Sequence, residues 1–152
     1  MRFLEHRIPP PLVALITAVL MWWGTGMATP HWPGGMQGAA VALLLVAGAS
    51  FDVAGVLSFR ALRTTVNPMR PEKASALVTG GVYRFTRNPM YVGMACLLTA
   101  WALVLPSWLA LLGPLGFLLY ITRFQILPEE RVLMELFGDD YRAFMGRVRR
   151  WL

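Results

Sequence analysis

Two stretches of this chain, residues 77–91 and 129–141, carry polar side chains in an otherwise apolar setting. The first contains two glycines, two arginines, an asparagine and two tyrosines, and the second begins with two adjacent glutamates. Polar groups are costly in or beside a membrane and usually serve a function there. We therefore interpret the two stretches as the candidate site for a polar ligand.

The first stretch has the features of a turn that leads into a helix. Gly80 and Gly81 free the backbone for a turn or for close approach to a ligand. Pro89 suits the first helical turn, where its missing N–H would be unpaired in any case. The amides of that helix start, together with Arg87, would attract an anion such as a carboxylate. An ordinary helix start with interfacial arginine and tyrosine side chains explains the stretch equally well.

The second stretch predicts an amphipathic helix that lies along the membrane surface and ends at Gly138. Its apolar side chains recur at helical spacing: Leu133, Leu136 and Phe137. Glu129 and Glu130 fall in its first turn, where favourable interaction with the helix dipole is the simpler explanation. A second short helix is expected over 140–152. Three of its arginines would contact lipid headgroups: Arg147, Arg149 and Arg150.

Composition indicates one membrane-embedded domain that covers residues 1–152. The chain is 57% hydrophobic and 14% charged, whereas soluble domains have about 25% charged residues. Four segments approach the roughly 20 apolar residues that a membrane-spanning helix needs: 10–29, 38–59, 90–106 and 108–124. The expected fold class is therefore all-α and integral to the membrane, with four transmembrane helices, a cytoplasmic motif loop between the second and third spans (about 58–88) and short C-terminal amphipathic helices.

The distribution of positive charge predicts the orientation of these helices. All 14 lysines and arginines precede the first span, lie between the second and third, or occur from Arg123 onward, at the end of the fourth span and after it. The positive-inside rule then places both termini and the motif loop in the cytoplasm, as in a bacterial-type inner membrane. A cleaved signal peptide is the rival interpretation of the first span, but its apolar run exceeds the usual 7 to 15 residues. Anionic headgroups explain the net charge of +6 more simply than nucleic acid does.

Few other residues suggest a site. Cys96 is the single cysteine, and His6 and His31 are isolated, so we expect no metal site. Asp52 is the only acidic residue well inside a predicted span. A carboxylate in that position is a functional hypothesis by default, although an ion pair with Arg60 or Arg63 would also explain it.

The two polar stretches contain a set of short motifs, and a helical hairpin separates the first group from the second. The motifs are Leu77-Val78-Thr79, Gly81-Val82-Tyr83, Arg87-Asn88-Pro89 and Tyr91, then Glu129-Glu130, Leu133, Phe137-Gly138, Tyr141 and Val148. In these residues the chain resembles the isoprenylcysteine carboxyl methyltransferase family and its bacterial and phospholipid-methylating relatives. The resemblance covers about residue 75 to the C-terminus. It implies that S-adenosylmethionine binds in a cytoplasm-facing pocket formed by the last two spans, the motif loop and the C-terminal helices.

The same resemblance implies roles for individual residues. It places the following side chains or their backbone against the cofactor: Ser75, Ala76, Leu77, Val78, Tyr83, Asn88, Pro89, Met90, Tyr91 and Glu129. Three residues are candidates for a catalytic role: Gln125, Arg87 and Glu130. Gln125 stands where the carboxyl methyltransferases carry an arginine that faces the substrate carboxylate, and Asn88 where eukaryotic members usually have histidine. Glutamine cannot neutralise a carboxylate, so we expect a different acceptor unless Arg123 reaches the site.

The expected function is S-adenosylmethionine-dependent methyl transfer to a small lipophilic or lipid acceptor, whose amine, thiol, hydroxyl or carboxyl would each fit. Such transfer is a direct displacement that depends on alignment and on exclusion of water. One alternative is a sterol-reductase-like enzyme using NADPH, with a basic cradle for two phosphates: Arg63, Arg70, Lys73, Arg84 and Arg87. Another is a small four-helix transporter that uses Asp52. The sequence leaves the oligomeric state open.

Overall fold

The computed structural model describes residues 7–61 and 76–152, and all regular secondary structure within these ranges is helical. The five main helices in these two ranges are α1 (Pro10–Gly24), α2 (Gly35–Ala61), α3 (Pro89–Val104), α4 (Leu112–Ile121) and α5 (Leu127–Arg147). Short 3-10 turns cover Gly81–Arg84 and Trp108–Leu111, and a π-helical turn, Thr122–Ile126, joins α4 to α5. The predicted all-helical class is confirmed for the described residues.

Among the described residues, two helical segments are long and apolar enough to cross a membrane: α2, with 27 residues, and the continuous run Trp108–Arg147, with 40. The helices α1 and α3 are also apolar but have 15 and 16 residues, or about 22 to 24 Å of helix against a hydrocarbon core of about 30 Å. The predicted first span extended to residue 29, but α1 ends at Gly24 because the chain turns through positive φ at Gly26 and Met27. A count of four transmembrane helices stays a prediction.

The last helical run changes character along its length. Its apolar part covers α4 and the π turn, whose one charged residue is Arg123, and acidic residues begin with Glu129 in the first turn of α5. The predicted break at Gly138 is confirmed, since this residue has φ 49° and ψ −118° within the helix, a conformation that glycine adopts without steric cost. The prediction that the final helix extends to residue 152 is wrong. It ends at Arg147, and Val148 is extended, so that residues 148–152 form a C-terminal tail.

Close packing of α2 on α3 depends on glycines that face each other. A Cβ atom on Gly93 would lie 2.3 Å from Oδ1 of Asp52 and 2.8 Å from the carbonyl oxygen of Gly48. A larger residue at Gly93 would therefore push the two helices apart. The outer faces of the bundle carry exposed leucines, such as Leu15, Leu43 and Leu119, as a lipid-facing surface would.

Two apolar clusters hold the elements that carry the polar stretches. The first joins α1, α3, α4 and the π turn, and its buried members include Tyr91, Phe117 and Ile126. The second joins the motif loop to α5 through four buried residues: Val78, Tyr83, Tyr141 and Phe144. Together the two clusters fix the start of α3 beside the start of α5.

Candidate functional site

The two polar stretches meet at Tyr91 and Glu129. Tyr91 lies in the first turn of α3 and Glu129 in the first turn of α5. The buried hydroxyl of Tyr91 donates a hydrogen bond to Oε2 of Glu129 at 3.3 Å, across 38 positions of sequence. The fold thus unites the two motifs in one place, which we call the motif junction.

The ionisation of the Glu129 carboxyl is sensitive to a nearby cation. Burial raises the pKa of Glu129 to about 7, and the charge of Glu130 also raises it, while the hydrogen bond from Tyr91 opposes both effects. A cationic group beside this carboxyl would hold it in the ionised form. Burial and the nearby charge of Glu129 also raise the pKa of Tyr83. The phenol of Tyr83 therefore stays protonated near neutral pH and remains able to donate a hydrogen bond.

Glu130 is the centre of a compact ion-pair cluster with two arginines. Nε of Arg150 donates to its Oε1 at 2.9 Å, and Nη2 of Arg150 donates to its Oε2 at 2.7 Å. Nη1 of Arg87 lies 3.1 Å from the same Oε1. The side chains of Arg87 and Glu130 are 10% and 13% exposed. The geometry gives both residues an ion-pair role beside the motif junction, and a direct catalytic role for either stays a prediction.

The C-terminal tail completes this arrangement, and sequence reasoning missed it. The carbonyl oxygen of Arg150 accepts hydrogen bonds from Nδ2 of Asn88 at 2.9 Å and from Oγ1 of the fully buried Thr86 at 3.1 Å. The amide of Arg87 donates to the carbonyl of Arg149 at 3.0 Å. The prediction that Arg150 serves only as a headgroup contact is wrong, because its side chain pairs with Glu130 of α5 and its carbonyl bonds to the motif loop.

The start of α3 offers fewer amides to an anion than its sequence suggests. Pro89 has no N–H, and the amides of Tyr91 and Val92 both donate to the carbonyl of Asn88. The amide of Asn88 donates to Oγ1 of Thr86. The helix N-terminus alone therefore makes a poor anion site, and an anion in this region would depend on side chains.

Gln125 lies in the π turn with no exposed surface. Its Nε2 donates to the backbone carbonyl of Ile8, just before α1, at 2.7 Å. Its Oε1 is buried, and no described residue forms a hydrogen bond with it. Because Gln125 precedes Glu129 by four residues, the two side chains lie on the same face of the helix. Single-turn π bulges inside α-helices are frequent at functional sites.

The remaining predicted residues fall as follows. Val78 is buried in the second cluster, Leu77 packs against it, and Ala76 begins the described part of the loop. Met90 faces α2, where a Cβ on Gly55 would lie 2.6 Å from its Cγ. Several predicted residues lie outside the described residues: Ser75, Arg63, Arg70 and Lys73.

Two other expectations concern Asp52 and metals. Oδ1 of Asp52 is buried and has no hydrogen-bond partner among the residues that the structure describes. Arg60 is eight residues further along α2, about 12 Å along the helix axis, which is too far for an ion pair. Within the ranges 7–61 and 76–152, no group of three or more His, Cys, Asp or Glu residues could hold a metal ion.

The helices are apolar, their outer surface is apolar, and the polar site lies at one end of the bundle. These features define the class of a helical membrane protein with a buried polar site. A family model described as phospholipid methyltransferase (PEMT) matches residues 36–140, more than two thirds of the chain. The chain belongs to this family, which confirms the resemblance seen in the motifs and implies a membrane methyltransferase. The match includes both partners of the motif junction.

The chain is also similar to an uncharacterized protein from Haemophilus influenzae strain Rd. The two are 48% identical over 63 residues, which cover 41% of this chain and 100% of that protein. This similarity supports relatedness without adding a function.

Proposed function

We propose that this protein is an integral membrane methyltransferase that uses S-adenosylmethionine and transfers its methyl group to a small lipophilic acceptor. The observation that carries the proposal is the hydrogen bond between Tyr91 and Glu129, which joins the two motifs into one site. Membership of the phospholipid methyltransferase family agrees with this chemistry. The basic residues on one side of the spans favour a cytoplasmic site with an acceptor supplied by the bilayer.

The residues at the motif junction suit the chemical groups of the cofactor. S-adenosylmethionine carries an ammonium, a carboxylate, hydroxyls and a sulfonium cation. The partly buried carboxyl of Glu129, with its pKa raised to about 7, would become fully ionised beside an ammonium. Tyr83 supplies a protonated phenol. The side-chain nitrogen of Asn88 already donates to the carbonyl of Arg150, so the side-chain oxygen of Asn88 is the atom that would accept a hydrogen bond.

The chain's own contribution to the reaction would be binding, alignment and exclusion of water. When bound, the cofactor supplies an electrophilic methyl group. Glu129 and Tyr91 would hold the donor in place, and the ion pairs of Glu130 would keep the motif loop and the tail closed around it. A covalent nucleophile is not required for a direct displacement.

The ion-pair cluster also bears on the reductase alternative. A dinucleotide cofactor needs cationic partners for two phosphates, but Arg87 and Arg150 both pair with Glu130. The family match does not favour the reductase or the transporter. We therefore retain methyl transfer as the proposed function.

A ligand-binding experiment with purified protein in detergent tests the proposal. S-adenosylhomocysteine at 100 times its Kd should stabilise the protein by about 2.7 kcal/mol, which corresponds to a rise in Tm of about 5 to 11 °C for a chain of this size. NADPH should produce no rise. Stabilisation by NADPH alone would refute the proposal.

Variants at Glu129 test the site itself. Glu129→Gln keeps the shape of the side chain but cannot carry the negative charge, so calorimetric affinity for S-adenosylhomocysteine should fall by about tenfold or more. Asp139→Asn is the matched control, because Asp139 lies on the same helix with its side chain 92% exposed. Unchanged affinity in Glu129→Gln would show that this residue does not bind the cofactor.

A further inference from the structure

We propose that the C-terminal tail is a strap that opens to admit the cofactor and closes over it, so that its opening sets how fast the cofactor enters and leaves. The inference rests on the proposed function, because it concerns how the ligand of that site gains access. It begins from the place of the tail in the fold, where a few non-helical residues at the end of the chain cross from one apolar cluster to the other.

The side chains that would contact the cofactor are covered in this structure. Tyr91 and Tyr83 are 5% and 6% exposed, and Tyr91 already donates to Glu129. S-adenosylmethionine is charged, so it would reach the site from water rather than from the lipid. To contact these tyrosines it needs part of the covering structure to move, as the lids of many enzymes do.

The tail bridges the two apolar clusters that hold the candidate site. Val148, at the start of the tail, packs against the second cluster, and Trp151, near its end, packs against the first. Tyr91 belongs to the first cluster and Tyr83 to the second. The tail therefore ties together the two parts of the protein that carry these tyrosines.

The polar contacts of the tail also reach two different elements. Its backbone carbonyls hold the motif loop, since the amide of Arg87 donates to the carbonyl of Arg149 and Nδ2 of Asn88 donates to the carbonyl of Arg150. The guanidinium of Arg150 makes two hydrogen bonds to the carboxylate of Glu130 at the start of α5. One short segment thus joins the motif loop to α5, and its departure would release both.

Among the links that the structure describes, the tail is the one that can open with the smallest loss of structure. The helices α4 and α5 belong to one continuous run of 40 residues, and α2 is in close contact with α3 along facing glycines. The tail has no helix to unwind, and its ion pair with Glu130 is open to solvent because the side chain of Arg150 is 35% exposed. Chain ends are also the usual places of local opening.

A strap and a fixed support have different effects on binding kinetics. If only the open state admits the ligand, the apparent association rate constant is the intrinsic constant multiplied by the open fraction. Weakening a strap raises this fraction, so that association and dissociation both become faster. Weakening a fixed support of the bound ligand speeds dissociation alone.

Stopped-flow binding of S-adenosylhomocysteine to the protein in detergent measures both rate constants. Arg150→Gln removes the ion pair with Glu130, and Trp151→Ala removes the contact with the first cluster. Each should raise koff by about tenfold or more and kon by about threefold or more. Arg147→Gln is the matched control, because it removes the same charge from an exposed side chain that bonds to its own helix at Ala143, so both rate constants should stay unchanged.

Hydrogen exchange in the wild-type protein tests the strap without any substitution. The amide of Arg87 donates to the carbonyl of Arg149 in the tail, whereas the amide of Asn88 donates to Oγ1 of Thr86 in its own loop. Opening of the tail alone would free the first amide and leave the second bonded. In ligand-free protein the protection factor of the Arg87 amide should therefore be at least about tenfold below that of the Asn88 amide, and S-adenosylhomocysteine should raise it.

The outcomes separate this inference from the proposed function. The strap is overturned, although cofactor binding stands, if koff rises with unchanged kon in the folded variants, if Arg147→Gln changes both constants equally, or if the two amides are equally protected in ligand-free protein. If one of the two tail variants does not fold, the other variant and the exchange experiment decide. If the wild-type protein does not bind S-adenosylhomocysteine, the proposed function fails and takes the inference with it.

Discussion

Glu130→Gln should lower the stability of the protein by about 3 kcal/mol, because it removes the anion that neutralises two arginines. Glutamine has nearly the same shape but no charge. It would leave the guanidinium of Arg87, which is 10% exposed, beside that of Arg150 without a counter-charge. Loss of one partner from a buried ion pair costs about 3 to 5 kcal/mol. The partial exposure of Arg150 (35%) places our expectation at the lower end.

The assay is thermal unfolding in detergent, followed by intrinsic fluorescence. A loss of about 3 kcal/mol corresponds to a fall in Tm of about 6 to 12 °C for a chain of this size. Asp139→Asn is the control, because it breaks an ion pair with Arg142 whose side chains are 92% and 69% exposed. An exposed pair contributes at most about 1 kcal/mol, so its Tm should fall by no more than about 4 °C.

A double variant sharpens the test. Arg87→Gln combined with Glu130→Gln removes the uncompensated charge along with its partner, so the double variant should recover part of the stability that Glu130→Gln loses. The reasoning is refuted if Glu130→Gln behaves like Asp139→Asn, or if the losses of the two single variants simply add.

Three further predictions follow from other parts of the fold. The folded-state pKa of Glu129, about 7, lies above its ordinary value of 4.5, so the Tm of ligand-free protein should fall as pH rises between these values, and Glu129→Gln should flatten this part of the Tm profile. Gly93→Ala should lower stability by about 1 to 3 kcal/mol through its clash with α2. Gly116→Ala, where a Cβ meets open space, should raise stability by up to about 1 kcal/mol, and equal Tm values for the two variants would contradict the packing argument. Deletion of residues 149–152 removes the carbonyls that hold the motif loop and should weaken calorimetric S-adenosylhomocysteine binding by about tenfold or more; unchanged affinity would show that the tail does not position the site.

Local chemistry explains which features could be predicted. Helix breaks follow from conformational preferences within a few residues, so Gly138 predicted an interruption that the backbone confirms. Apolar runs predicted the helical class in the same way. The end of α1 was harder to predict from the sequence, because it depends on a turn through positive φ at Met27, a conformation that methionine rarely adopts. The C-terminal tail was missed because its main interactions are made by backbone carbonyls, which carry no sequence signature.

The sequence by itself determined the apolar helices, the two polar motifs and, through those motifs, the family. Only the tertiary structure decided the partners of each polar side chain. Glu129 and Glu130 are adjacent and chemically identical, yet one meets the hydroxyl of Tyr91 and the other is held by two arginines. Successive residues on a helix point about 100° apart, so neighbours in sequence face different surroundings. Those surroundings are set by chain segments that packing brings together from distant positions.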